Sequence, residues 1–181
     1  ADVAEDWNLD PRAVAAVRTS RTRAVIAVNT FGAPADVTSL RRLGVPVIED
    51  CAHGFGLAVT DGVLGGRGDL AALSFHATKL LGAGEGGAVV TDRSDAAEVV
   101  RAWRDYGDEP PDGTRLNDKL SDVHAAIALC QLDRLDAMIE ARHARAQRYQ
   151  LRLGPTAQRT GAFRLPAWPG LRVWYRYAIE L

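Results

Sequence analysis

The sequence predicts an α/β fold built around a mostly parallel sheet. Three short apolar runs, Ala24–Val28, Val45–Ile48 and Ala71–Phe75, have the length and the polar or glycine-rich borders of buried strands. A helical segment separates the first two runs, and this strand–helix–strand order is typical of a right-handed parallel crossover. The chain has 181 residues, 47% of them hydrophobic, so it can bury one good-sized core.

Capping residues mark the helices in the first part of the chain. Asp10, which is followed by a proline, predicts the start of a helix that runs through Ala13–Val17. Asp36 predicts the cap of a second short helix, which continues to Leu43 and ends at Gly44. Each helix precedes a predicted strand, as the alternating order of a parallel sheet requires.

Helical periodicity and prolines organise the rest of the chain. Loops are assigned where prolines fall, because proline lacks the backbone N–H that a helix interior needs. In order, we predict a strand over Ala88–Thr91, a helix from Ser94 to about Tyr106, a loop over Gly107–Thr114, helices over Ser121–Leu132 and from Leu135 to about Leu153, a loop over Gly154–Gly170, and a strand over Leu171–Leu181.

Composition argues against several classes of function. The net charge is −1 and the acidic and basic residues are interspersed, so the sequence shows no basic face that would indicate nucleic-acid binding. No apolar run is long enough to cross a membrane, and the first residues are acidic and polar rather than a signal peptide. Cys51 and Cys130 form no close-spaced metal motif, so no metal site is expected. The simplest setting is a reducing cytoplasm.

Polar side chains collect at the ends of two predicted strands. Ligands of α/β sheets lie beyond the carboxyl ends of the strands, so an acid at one strand end and a lysine past another predict a site. Pyridoxal phosphate chemistry requires a lysine for the Schiff base, a carboxylate for the pyridinium nitrogen and hydroxyl groups for the phosphate. Lys79, Asp50 and Ser74 supply these groups. The residue types alone also allow a turn or cap role for Asp50 and a solvated surface position for Lys79.

Three sequence blocks resemble one known family. The strings VIEDCAHGFG, GDLAALSFHATKLLGAGEGGAVVT and RLNDKLSDVHAAIALCQLDRLD are similar to the DegT/StrS-type nucleotide-sugar aminotransferases, pyridoxal-phosphate enzymes of the aspartate-aminotransferase fold. The resemblance implies a three-layer αβα large domain of fold type I, with an antiparallel strand in the sheet. It implies a chain that lacks the N-terminal part and most of the small C-terminal domain. We therefore expect a partial large domain with a linker helix over residues 1–153, and a linker with the first strand of the small domain over residues 154–181.

The resemblance also assigns roles to individual residues. It matches Lys79 to the Schiff-base lysine, Asp50 to the acid at the pyridinium nitrogen and Ser74 to a phosphate-binding serine. His53 occupies a position where many relatives carry a cofactor-contacting glutamine, so it either contacts the cofactor or packs without a ligand. Asn117 matches an asparagine that reaches the cofactor phosphate of the neighbouring subunit; by residue type alone it is equally a turn or N-cap residue.

The family implies an activity and an assembly. The expected enzyme moves an amino group from an amino acid, with glutamate as the expected donor, to a nucleotide-linked keto sugar, and it works as a homodimer with a shared active site. Some relatives carry histidine at the position of Lys79 and act as dehydratases, so Lys79 favours amino transfer. The alternative is a truncated, non-catalytic relative that acts as a dimerising or regulatory module. The resemblance places Asn29–Gly32 near the substrate or cofactor, whereas its glycine is also explained by a turn.

Overall fold

A four-stranded mixed sheet forms the centre of the molecule. The computed structural model describes residues 1–105, 116–166 and 172–181. The four strands of the sheet are β1 Val25–Val28, β2 Val47–Asp50, β5 Leu70–Ser74 and β6 Gly87–Val90, and β3 Ala58–Val59 and β4 Gly62–Val63 form a separate small hairpin. The strands of the sheet lie in the order β1-β2-β5-β6, in which β1, β2 and β5 are parallel and β6 is antiparallel to β5. This arrangement confirms the prediction of a mostly parallel sheet with one antiparallel member.

Five α-helices accompany the strands in the described residues. Side-chain caps begin three of them: Asp10 accepts from the backbone N–H of Arg12, Asp36 from that of Ser39, and Ser121 from that of His124. The caps predicted at Asp10 and Asp36 are therefore confirmed. No described helix combines the length and the apolar content needed to cross a bilayer. The helices are α1 Pro11–Val17, α2 Val37–Arg41, α3 Ser94–Arg104, α4 Asp122–Leu132 and α5 Leu135–Thr160.

The two faces of the sheet have different environments. Helices α1 and α2 pack on one face, where side chains from the helices and from β1 and β2 form a buried cluster. The opposite face carries Ile26, which is 60% exposed, and also Asp50 and Ser74 at the strand ends. Because side chains alternate along a strand, Glu49 and Asp50 point to opposite faces. The buried cluster comprises Val14, Val25, Ala27, Ala35, Val37, Leu40 and Val47.

Helix α5 is longer than predicted. It continues through Pro155 to Thr160, so the loop expected from Gly154 onwards is wrong for residues 154–160. A proline within a helix removes one backbone hydrogen bond, but this exposed helix continues beyond it. The helix ends where Gly161 adopts the left-handed conformation and donates its N–H to the carbonyl of Ala157.

The C-terminal segment does not form the strand expected over Leu171–Leu181. In residues 172–181 the pairing is limited to one isolated bridge between Arg164 and Glu180. Trp174 has a φ of 55°, which interrupts the extended backbone that a strand needs. The segment instead hydrogen-bonds to the turn after β1. Three predicted features lie outside the described residues: the loop over Gly107–Thr114, the helix end at Tyr106 and the part of the last loop over residues 167–171. The division at residue 153 stays a prediction.

Candidate active site

Asp50 occupies the C-terminal end of β2, between the two neighbouring parallel strands. Its Oδ1 accepts the backbone N–H of Ala52 at 2.9 Å, which fixes the carboxylate at the strand end. In the register of the sheet, Asp50 lies beside Ala72 of β5, and Ser74 follows two residues later on the same face. The predicted acid and the predicted phosphate-binding serine therefore share one edge and one face of the sheet.

Lys79 lies in a tightly anchored loop between β5 and β6. The loop is closed by backbone hydrogen bonds from Phe75 to Gly86 and from Ala77 to Gly84, both at 2.8 Å. The backbone N–H of Lys79 donates to the carbonyl of His76, also at 2.8 Å. Lys79 itself is half-buried, and the two leucines that follow it are buried. The backbone that carries the amine is thus held in place before any ligand binds.

His53 is held in a neutral state by its surroundings. Its Nδ1 accepts the backbone N–H of Phe31 at 3.1 Å, which leaves the proton of the neutral ring on Nε2. Burial lowers the pKa of His53, the positive charge of Lys79 lowers it further, and the negative charge of Asp50 opposes both. The structure therefore brings His53, Lys79 and Asp50 within electrostatic reach of one another.

Tyr175 is a pocket residue that sequence reasoning missed. Its ring stacks on His53, and the Nζ of Lys79 lies 5.2 Å from its ring centroid. Burial raises the pKa of Tyr175, but hydrogen bonds from Thr78 and Arg176 and the charges of Lys79 and Arg176 outweigh burial and bring the pKa below its ordinary value. The sequence signal was the alternation of aromatic and charged residues, which was assigned to a strand.

Backbone contacts explain how the C-terminal segment reaches this pocket. The N–H of Val173 donates to the carbonyl of Gly32 at 2.9 Å, and that of Tyr175 to the carbonyl of Phe31 at 3.1 Å. Gly32 has a φ of 86° and little space, because an added Cβ would lie 3.1 Å from the Cβ of Val173. The turn after β1 therefore requires its glycine and docks the segment that carries Tyr175.

The remaining two predicted site residues lie in different places. Ser74 is half-buried at the end of β5, and its Oγ accepts the backbone N–H of His76 at 3.4 Å. Asn117 is exposed and forms an isolated bridge with Asp105 at the end of α3, where Lys119 Nζ also lies 2.9 Å from Asp105. Lys79, Asp50, His53 and Ser74 thus belong to one edge of the sheet, whereas the described contacts of Asn117 are with the end of α3.

A buried polar network lies behind Asp50, on the other face of β2. Glu49 is 0% exposed, and its Oε2 lies 3.0 Å from the guanidinium of Arg67. Its Oε1 accepts the backbone N–H groups of Arg67 at 2.7 Å and Gly68 at 2.9 Å. The network ties β2 to the glycine-rich loop before β5. Sequence reasoning missed Arg67.

Asn29, at the start of the turn after β1, belongs to this network. It is fully buried; its amide group donates to Glu49 at 3.4 Å and to the sulfur of Cys51 at 3.2 Å, and its oxygen accepts from the N–H of Ala35 at 2.9 Å. The turn interpretation of this segment therefore explains Asn29. Phe31, two residues later, is the member of the turn that contacts His53.

Cys51 follows Asp50 but has no nucleophilic character. Burial raises its pKa to about 12, and the negative charge of Glu49 adds to this effect. A thiol with so high a pKa stays protonated at neutral pH, and the thiolate is the reactive form. Cys51 therefore packs as a small apolar residue beside the site.

Two cavities lie apart from Lys79 and Asp50. One, of about 440 Å³, is lined by the N-terminal segment, by Arg164 to Pro166, by Arg172 and by Glu180. The other, of about 450 Å³, lies between α5 and residues 56–58. Arg172 borders both, but neither contains a predicted site residue.

The fold and the site define a class of protein. A mostly parallel sheet that presents a lysine, a carboxylate and hydroxyl groups at one edge is the arrangement of a fold-type I pyridoxal-phosphate enzyme. The DegT/DnrJ/EryC1/StrS aminotransferase family matches residues 1–181, and the chain belongs to this family. The family depends on pyridoxal phosphate.

Named relatives agree with this assignment. A dTDP-3-amino-3,4,6-trideoxy-alpha-D-glucose transaminase of Micromonospora megalomicea subsp. nigra is 44% identical over 155 residues, which are 80% of this chain and 41% of the relative. The crystal structure of DesI in the presence of its TDP-sugar product has a TM-score of 0.88 at 36% identity, and the match covers 100% of this chain and 48% of DesI. The chain therefore spans about half the length of these relatives.

A more distant structure shows the fold alone. The E coli GDP-4-keto-6-deoxy-D-mannose-3-dehydratase with bound hydrated PLP has a TM-score of 0.83 at 18% identity, over 98% of this chain and 51% of the dehydratase. The same fold thus supports more than one activity, so function must be argued from the site.

Proposed function

We propose that the whole protein is a pyridoxal-phosphate-dependent aminotransferase that moves an amino group from an amino acid, with glutamate as donor, to a nucleotide-linked keto sugar. The observation that carries this proposal is the meeting of Lys79, Asp50 and His53 at one edge of the sheet, in a chain of this family. The transaminase of a dTDP-linked amino sugar and DesI with its TDP-sugar support the substrate class. Lysine at position 79 favours amino transfer over dehydration.

The donor set fits the cofactor. When bound, pyridoxal phosphate supplies an electron sink for the substrate carbon. Lys79 offers an amine on an anchored loop, where it can hold the cofactor's aldehyde and carry a proton to and from the substrate. Asp50 offers a carboxylate to hold the proton of the ring nitrogen. Ser74 offers a hydroxyl to the phosphate, and Asn117 of a second copy would complete that contact.

His53 has a defined part in this arrangement. Because its Nδ1 is already bonded to the N–H of Phe31, the free donor of the ring is Nε2. Its lowered pKa keeps the ring neutral at physiological pH, so it acts as a hydrogen-bond donor without adding positive charge beside Lys79. This neutral donor resembles the amide of the glutamine that many relatives carry at the same position.

A homodimer with a shared active site is part of the proposal. Helix α4 exposes large apolar side chains, including Val123 at 70% and Leu129 at 64% exposure. An exposed apolar surface of this kind is typical of a protein–protein interface. Asn117 precedes α4 by a few residues, so an interface on α4 would lie close to this asparagine in the sequence.

The first test is the absorbance spectrum of the protein with added pyridoxal phosphate, beside Lys79→Ala. We expect a visible band from the lysine-bound cofactor in the unmodified protein and its loss in the variant. Borohydride reduction followed by peptide mass spectrometry must then find the added mass on Lys79. His143→Ala, on helix α5, serves as the matched control and should keep the band. A folded protein without the band would contradict the proposal and favour the non-catalytic alternative.

A further inference from the structure

His76 lies between two groups that the proposed function assigns to the cofactor. Its backbone N–H donates to the Oγ of Ser74 at 3.4 Å, and its carbonyl oxygen accepts the backbone N–H of Lys79 at 2.8 Å. His76 therefore connects the end of β5 with the turn that carries the lysine. Its imidazole has no part in the proposed function, although it belongs to the same turn.

The imidazole of His76 closes this turn. Its Nδ1 accepts the backbone N–H of Thr78 at 3.2 Å and lies 2.9 Å from the Oγ1 of Thr78. Because Nδ1 accepts an N–H, the proton of the neutral ring is on Nε2, and the Thr78 hydroxyl also donates to Nδ1. One ring nitrogen therefore holds both the backbone and the side chain of the residue immediately before Lys79.

Glu85 lies on the other side of the ring. Its Oε1 is 3.9 Å from the Nε2 of His76, which is beyond hydrogen-bond length but close enough for electrostatic attraction. A carboxylate beside Nε2 favours the tautomer that carries its proton there. Both side chains are open to solvent, so this contact is weak and the Nδ1 contact is the one that orders the turn.

The position of Thr78 matters because a lysine side chain does not orient itself. The amine of Lys79 is carried on a flexible four-carbon stem, so the direction of that stem depends on the backbone from which it starts. Backbone hydrogen bonds pair residues 75–77 with residues 83–86 and so close the base of the loop. The N–H of Thr78 is bonded to the imidazole, so His76 completes the contacts that fix the backbone before the lysine.

We propose that His76 is a positioning residue for Lys79. Its Nδ1 holds Thr78, and the turn held in this way fixes the direction from which the lysine amine meets the cofactor's aldehyde. Its backbone N–H keeps the same turn in register with Ser74, the hydroxyl offered to the phosphate. This inference rests on the proposed function, because both concern the same lysine, and it assigns the imidazole no contact with cofactor or substrate.

Two variants separate the acceptor from the rest of the ring. His76→Asn places an amide oxygen close to the position of Nδ1, and His76→Leu fills the same space without an acceptor. Both variants remove the ring, so both lose the contact with Glu85. If Nδ1 positions the turn, the asparagine variant behaves like the unmodified protein and the leucine variant does not. If the ring only fills space, the two variants behave alike.

The first measurement is the attachment of pyridoxal phosphate to Lys79, followed by the visible band and, after borohydride reduction, by peptide mass spectrometry. We expect His76→Leu to weaken attachment by about tenfold, the effect of losing one hydrogen bond that orients the reacting amine. His76→Asn should attach the cofactor like the unmodified protein. Circular dichroism and thermal unfolding of both variants show that they remain folded.

A second measurement examines the turn and the lysine without cofactor. The chain has two lysines, Lys79 and Lys119, so Lys119 is an internal reference when acetaldehyde and a mild hydride reagent alkylate both amines. Acetaldehyde has no phosphate and needs no fixed direction of approach, so the ratio of the two alkylated lysines should be equal in all three proteins. Amide hydrogen exchange at Thr78 should be faster in His76→Leu than in His76→Asn or the unmodified protein.

Each outcome decides the positioning role. Equal cofactor attachment in His76→Leu and the unmodified protein, or an equal loss in both variants, would overturn it. Unchanged exchange at Thr78 in His76→Leu would also overturn it, and so would a fall in the acetaldehyde reaction of Lys79, which would place the effect on the amine itself. These results leave the proposed function intact, whereas a missing band in the folded, unmodified protein contradicts the proposed function and the positioning role together.

Discussion

The imidazole of His53 lies against the phenol ring of Tyr175, with ring centroids 4.6 Å apart and ring planes 15° from parallel. Phe31 also stacks on His53, at 5.8 Å and 5°. These rings come from the turn after β1, the loop after β2 and the C-terminal segment. The candidate site therefore has an aromatic wall assembled from three separate parts of the chain, and stability at this wall is coupled to the charge of His53.

We predict that acid destabilises the protein through His53. Its pKa in the folded state lies below the ordinary value of 6.5, so the unfolded state binds the proton more readily. The stabilisation that the neutral ring gives the folded state is fully present above about pH 6.5. It is lost as the pH falls from there to the folded-state pKa. His53→Gln should therefore show a smaller loss of unfolding free energy over this range in urea titrations. An equal acid sensitivity in the variant would contradict the prediction, and His143→Gln provides the control.

The buried pair of Glu49 and Arg67 gives a second prediction. Glu49→Gln leaves the guanidinium of Arg67 buried beside a neutral group, and breaking such a pair costs about 3–5 kcal/mol of unfolding free energy. The matched control is Asp61→Asn, because Asp61 contacts the same guanidinium at 3.3 Å from a partly exposed position. Its loss should cost at most about 1 kcal/mol. Thermal and urea unfolding of both variants would separate the buried interaction from the surface one, and comparable losses would refute the distinction.

Local signals in the sequence predicted the parts of the fold that local interactions determine. The caps at Asp10 and Asp36 depend on backbone N–H groups two or three residues away, so the chain segment alone specifies them. The four strands of the main sheet were also predicted, within two residues at each end, because buried strands need continuous apolar runs. Pro155 misled the prediction for α5, since a single proline only weakens an exposed helix that a later glycine terminates.

Local signals in the sequence indicate only some of the residues at the candidate site. Asp50, Lys79 and Ser74 were singled out because strand ends in a parallel sheet converge and because their residue types match one chemistry. Tyr175 and Arg67 were missed because their partners are remote in sequence, and no spacing rule connects Tyr175 with His53 or Arg67 with Glu49. Long-range contacts of this kind become visible only when the folded backbone places the two segments together.

The loop that carries Lys79 gives a third prediction. A Cβ at Gly82 would lie 2.7 Å from the carbonyl oxygen of Ala77, closer than real side chains approach. Gly82→Ala must therefore displace backbone, and we expect a loss of roughly 1–3 kcal/mol in unfolding free energy and weaker binding of pyridoxal phosphate. Gly154→Ala is the control, because its Cβ meets nothing within 4 Å and alanine favours the helix by about 0.5–1 kcal/mol. If both substitutions stabilise the protein, the loop is not as tightly closed as these distances indicate.

The apolar surface of α4 gives the last prediction. If a second copy covers this helix, Val123→Glu together with Leu129→Glu places two charges in the interface and should shift the protein towards monomer in sedimentation equilibrium. Neither side chain is buried within the chain, so the unfolding of the isolated protomer should change little. Val17→Glu is the matched control, since Val17 is 62% exposed on α1, and it should leave self-association unchanged. A dimer that persists in the double variant would place the interface elsewhere on the protein. A protein that is already monomeric before substitution would exclude the dimer. Loss of the dimer together with loss of the cofactor band would link assembly to the pocket, because Asn117 of the second copy would then be removed from the phosphate site.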